Sequence, residues 1–100
     1  MDYQVVLSPS ARRDLKDIVR YISFDSPDRA ERFGHLLISK TKILSNFPEI
    51  GREVPEIGDP SIREIIIRSY RVIYRVDHPR ELVEVIRYWH AARSEPEIST

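Results

Sequence analysis

The stretch Ile62-Arg-Glu-Ile-Ile-Ile-Arg-Ser-Tyr-Arg-Val-Ile-Tyr-Arg-Val76 decides the fold. It reads as two β-strands joined by a tight turn, because β-branched and aromatic residues suit a pleated, half-buried surface. A strand sends alternate side chains to opposite faces. Arg71, Ile73 and Arg75 therefore share one face, and Val72, Tyr74 and Val76 share the other. Tyr74 and the valines belong on a core. Arginines are not buried unpaired, so the Arg71/Arg75 face is expected to be wet or to meet a partner. Four arginines in the stretch (Arg63, Arg68, Arg71 and Arg75) stand against one carboxylate, Glu64. A rigid sheet with arginines on one side is a candidate recognition surface. The plain alternative is a set of solvated strand arginines.

Downstream, Asp77-His78-Pro79-Arg80 reads as a turn, with Pro79 barring strand continuation. Leu82 to Trp89 is the last strand, where Leu82, Glu84, Ile86, Tyr88 and His90 alternate with Val83, Val85, Arg87 and Trp89. A polar tail over about 94–100 is expected to be mobile. Upstream, Pro48 to Pro60 carries three prolines and two glycines and reads as a long loop. Tyr3 to Leu7 suits a short first strand. Ser8-Pro9 and Ser26-Pro27 are two helix starts, each a capping serine followed by proline at the first helical position. Ala11, Leu15, Ile18, Val19 and Ile22 form the apolar stripe of the first helix. Ala30, Phe33, Leu37 and Leu44 form that of the second, expected from about Pro27 to Asn46. So short a link folds the two helices into an antiparallel hairpin. The order is β-α-α-β-β-β: an α+β fold, with a helix hairpin on one face of a mostly antiparallel four-stranded sheet.

The chain of 100 residues makes one domain, 1–100. With 41% apolar and 32% charged residues it is globular in composition. No apolar run is long enough to span a membrane, and Met1-Asp2-Tyr3-Gln4 begins no secretory signal. The absence of cysteine removes thiolate chemistry and leaves the cytoplasm as the expected compartment. The net charge of zero argues against a polynucleotide binder. Lysine occurs only at Lys16, Lys40 and Lys42, and from Arg52 onward every base is arginine, the residue suited to bidentate contacts.

There is no glycine-rich phosphate loop and no zinc motif, and His35, His78 and His90 lack ligand spacing, so neither metal nor cofactor is expected. Asp14 and Asp17 read as helix-surface charges. Arg63, Arg68, Arg71, Arg75, Arg87, Tyr88, His90 and Arg93 remain as a candidate anion-binding set, with histidine as a possible acid or base. Tyr88 and Trp89 equally suit a core.

At these residues the chain resembles the ParE/RelE toxins of bacterial type II toxin–antitoxin modules, also described as plasmid stabilisation proteins. Five pieces carry the resemblance in order across residues 3–93. Ala11 to Ile18 with Tyr21-Ile22 looks like the family's first helix, and Pro27-Asp28-Arg29-Ala30 opens the second. Phe47 to Arg52 resembles its Pro-x-x-Gly-Arg turn. Arg63-Glu64 and Tyr70 to Val76 resemble its central strands, and His90-Ala91-Ala92-Arg93 its closing His-x-x-Arg. The resemblance implies a small cytoplasmic growth inhibitor, neutralised by an antitoxin that wraps it and contacting operator DNA only through that antitoxin. RelE-like members cut mRNA on the ribosome, and ParE-like members inhibit DNA gyrase. Positions where the RNA-cutting branch carries lysines hold Glu64 and Ile66 here, and residues 91–100 contain no tyrosine. The helix hairpin and His-x-x-Arg ending look closer to ParE. The resemblance thus implies a gyrase inhibitor without hydrolytic chemistry, with Arg63, Arg68, Arg71, Arg75, Tyr88, His90 and Arg93 as target- or antitoxin-binding residues. The alternatives are an mRNA endoribonuclease using Arg71, Arg87 and His90, and an inactive antitoxin-binding relative.

Overall fold

The computed structural model describes residues 2–93, Pro96 and Ile98. The elements are β1 (Gln4–Leu7), α1 (Pro9–Ser23), α2 (Pro27–Lys42), a 3₁₀ turn (Ile43–Ser45), β2 (Arg52–Glu53), β3 (Ile62–Ile67), β4 (Tyr70–Asp77) and β5 (Leu82–His90). The sheet order is β1-β5-β4-β3-β2. β1 lies parallel to β5, and every other pairing is antiparallel.

The capping serines act as their sequence implies. The Ser8 hydroxyl accepts the Ala11 N–H at 3.0 Å, and the Ser26 hydroxyl accepts the Arg29 N–H at 3.2 Å. The second helix is shorter than its stripe suggested: beyond Lys42 the chain tightens into the 3₁₀ turn, a common way to end a helix. Among the described residues the sheet has five strands, not four. The addition is β2, two residues inside the segment read as loop, too short to show any periodicity.

Helices and sheet enclose one core, with Ala11, Ile18, Leu37 and Leu44 against Val72, Tyr74, Val76, Val83, Val85 and Tyr88. Leu15, Ile22 and Phe33 are only partly buried at its margin. Two hydroxyls tie it together. Tyr74 accepts the Gly51 N–H at 2.9 Å, and Tyr88 bonds Thr41 at 2.9 Å. Strict alternation along β5 fails. Ile73 opposes Arg87, but Tyr74 opposes Val85, leaving Ile86 as an extra residue in a β-bulge. The bulge puts Val83 and Val85 on the same side as Tyr88, and it sends Ile86 to the other side beside Trp89.

That other side holds a second cluster: Val54, Ile62, Ile73, Ile86 and Trp89. Val54 comes from the Pro48–Pro60 segment, which therefore covers a sheet face. Ile98 packs against the same cluster. Residues 94, 95, 97, 99 and 100 of the expected mobile tail lie outside the described residues.

Candidate functional site

Glu64 sits on β3 with Ile62 and Ile66 on the side away from the helices, and only 1% of it is exposed. A carboxylate so placed must be paired. Arg71, the diagonal neighbour on β4, gives it Nε at 2.6 Å. Arg52 of β2 gives Nε at 2.8 Å and Nη2 at 2.7 Å. The outer edge of the Arg71 guanidinium then holds Glu56 in a two-bond fork at 2.8 and 2.9 Å. The network Arg52–Glu64–Arg71–Glu56 pins the loop to the sheet. The Arg71 hydrogen bond is the main cause that lowers the Glu56 carboxyl from 4.5 to about 2, helped by a backbone hydrogen bond of Glu56 itself. The same fork raises Arg71. The expectation of a wet or partner-facing Arg71 is thus corrected: its side chain is 11% exposed and is satisfied within the chain.

Gly51 makes this approach possible. A Cβ there would lie 2.5 Å from the Glu64 carbonyl oxygen and 2.6 Å from the Tyr74 hydroxyl. Arg63 closes the same corner by donating Nη1 to the Gly51 carbonyl at 2.8 Å, with Glu49 at 3.9 Å.

Arg87 is drawn the opposite way. It grips Asp14 of α1 through Nε at 2.6 Å and Nη2 at 2.8 Å, and Asp14 also accepts the Tyr88 N–H at 3.1 Å. Asp14 is therefore not a surface charge but the clasp between α1 and β5. The guanidiniums of Arg87 and Arg93 lie 4.8 and 3.8 Å from the Trp89 ring centroid. Arg75 stands opposite Glu84 in the strand ladder. Tyr88 is buried in the core. His90 sets its ring against Tyr70 at 5.1 Å, and its Nδ1 accepts the Ala92 N–H at 3.1 Å. Arg68 occupies the β3–β4 turn with φ 56°. The candidate residues thus do not converge: Arg71 turns to the loop, Arg87 to α1, Tyr88 inward and Arg68 outward.

A groove of about 490 Å³ lies between α2 and β3. Leu36, Ile43, Ile50, Ile65 and Ile66 line it, with Lys40 and Arg68 as its cations. Ile50 and Ile66 are more than half exposed. The adjoining sheet edge is open. β2 pairs only with Arg63 and Glu64, and Val54 donates to the Ile62 carbonyl. By antiparallel alternation the backbone groups of Ile66 point outward, with no strand beside them among the described residues. The signal in sequence was the continuous run Ile65-Ile66-Ile67, where one strand face should have turned polar.

A family profile for the ParE toxin of type II toxin–antitoxin systems (parDE) matches residues 5–95. The chain belongs to this family. It is a ParE-family toxin of a type II toxin–antitoxin system. Three solved structures are similar in fold. The chromosomal ParDE system of P. aeruginosa matches with TM-score 0.72 and 18% identity, over 88% of this chain and 95% of that one. The RelBE2 toxin–antitoxin complex of Mycobacterium tuberculosis matches with TM-score 0.68 and 22% identity, over 93% and 95%. The isolated E. coli RelE toxin matches with TM-score 0.61 and 22% identity, over 93% and 88%. Comparison with curated proteins gives no match. No helix among the described residues is long and apolar enough to cross a membrane.

Proposed function

We propose that this toxin acts in the cytoplasm as a ParE-like inhibitor of DNA gyrase, through protein contact and without hydrolytic chemistry. The observation that carries the reading is the engagement of the guanidiniums a nuclease would need. Arg71 is held by Glu64 and Glu56, and Arg87 by Asp14. A ribonuclease must bring unneutralised cations to the scissile phosphate and an acid or base within reach. Here each arginine already faces a carboxylate, the two pull apart, and Glu64 would repel phosphate.

The antitoxin partner fits the groove between α2 and β3. An acidic, amphipathic segment would lay apolar side chains against Leu36, Ile43, Ile50 and Ile66 and carboxylates against Lys40 and Arg68. The open edge at Ile66 accepts an added strand. The rim charges would govern association and its salt dependence, and the apolar anchors dissociation.

Induced expression with plasmid supercoiling and cellular mRNA followed separately tests the target. The expected result is loss of supercoiling with intact mRNA. Codon-phased mRNA cuts with normal gyrase activity would replace this reading with a ribosome-dependent endonuclease. Growth unaffected by induction would leave an inactive antitoxin-binding relative.

A further inference from the structure

A second cavity, of about 560 Å³, opens where α2 meets the β3–β4 turn, and it brings aromatic rings and guanidinium groups together. Phe33 and Tyr70 line it, with ring centroids 5.6 Å apart at 47°. The edge-on His90 ring at 5.1 Å holds Tyr70 in place. Among the described residues, the Ser69 and Tyr70 hydroxyls make no hydrogen bond. Three arginines, Arg29, Arg32 and Arg68, also line the cavity. Arg29 is engaged by Asp25 at 2.9 Å. The guanidiniums of Arg32 and Arg68 have no ion-pair or hydrogen-bond partner among the described residues. Arg68 stands there on a left-handed backbone, φ 56°, that glycine or asparagine adopts with less strain.

We propose that this cavity binds a nucleoside phosphate, with the base against Phe33 and Tyr70 and the phosphate between Arg32 and Arg68. The volume lies within the range of about 300–1,000 Å³ usual for small-ligand sites. Aromatic side chains stack on any base. A planar guanidinium matches the spacing of phosphate oxygens, and the two free hydroxyls suit a ribose or a base edge. A polynucleotide is disfavoured because a chain of net charge zero offers no extended basic track. An acidic peptide would satisfy the arginines but make no use of paired rings. The site is separate from Arg71 and Glu64, and the inference does not depend on the cellular target.

Calorimetric titration of the purified protein with ATP, AMP, inorganic pyrophosphate and an oligoglutamate peptide tests it. ATP should bind, AMP more weakly, and pyrophosphate at least about tenfold more weakly than ATP. Arg32→Gln and Arg68→Gln should each weaken ATP binding by about tenfold or more. Arg80→Gln, at an exposed turn, should leave it unchanged. Circular dichroism confirms that the variants are folded, and Arg68→Gly, which relieves the turn, supplies a second folded variant lacking the charge. Absence of ATP binding at millimolar concentration would overturn the proposal. So would pyrophosphate binding as tightly as ATP, full ATP affinity in both arginine variants, or binding of the oligoglutamate alone.

Discussion

On one face of the sheet, two regular helices bury Val72, Tyr74, Val76, Val83 and Tyr88 under aliphatic side chains. On the other, a loop with a single two-residue strand buries Val54 against Ile73 and Trp89, and it is fastened by Glu64, Arg71 and Glu56. The first face is held chiefly by a non-directional force that scales with area, with the Asp14–Arg87 and Thr41–Tyr88 pairs added to it. The second is held by directional charged hydrogen bonds in a dry place, where losing one partner strands the other. A loop can thus close a sheet as firmly as a helix, but only through named pairs, and its cover fails abruptly when one pair goes.

Three measurements set the faces against each other. The largest effect belongs to the helix side. Tyr74→Ala should cost about 4–5 kcal/mol in chemical denaturation, because it leaves a large cavity and strands the Gly51 N–H. A loss below about 1 kcal/mol would mean that the helices do not press on this face.

Next comes the loop side. Glu64→Ala should cost about 3 kcal/mol by leaving Arg71 and Arg52 short of a partner. A double-mutant cycle with Arg71→Ala should give a coupling of at least about 1 kcal/mol. Additive losses would show that the Glu64–Arg71 pair does not fasten the loop.

The smallest effect is a pH dependence. Glu56 is lowered in the folded protein from 4.5 to about 2 by its fork with Arg71. A carboxylate lowered in this way contributes its full share of stability above pH 4.5 and loses it as pH falls toward about 2. The stability advantage of the native protein over Glu56→Gln should therefore shrink through that window. An advantage that persists unchanged to the acid end would remove Glu56 from the fastening of the loop.

The same contrast explains what could be read from the sequence. The helix face was legible because its information is local: serine caps, prolines at first positions, and the stripe through Ile18 and Leu37 all lie within a few turns. Val72, Tyr74 and Val76 were legible because alternation needs only three residues. The pairing of Glu64 with Arg71 was not, since it depends on the register of β3 against β4 and on a loop bringing Glu56 over both. Asp14 looked like a surface charge because its partner Arg87 is 73 positions away. The bulge at Ile86 reversed the facing of Val83 and Val85 relative to a strict alternation, and it is written in the pairing of two strands rather than in either one. Of the candidate site, the arginines were legible as residue types, whereas their engagement, and the cavities at Arg68, required the fold.

The parallel pairing of β1 with β5 bears on synthesis. The Ser8 hydroxyl that caps α1 also donates to the Ile86 carbonyl, 78 positions later, and β1 has no other strand beside it among the described residues. A growing chain that has released both helices still lacks the surface they cover, because β4 and β5, which supply it, emerge after them. Contacts so distant in the chain form late and together. The surface between the helices and the sheet therefore comes into being only after β5 has been made, and it does so in one step rather than strand by strand.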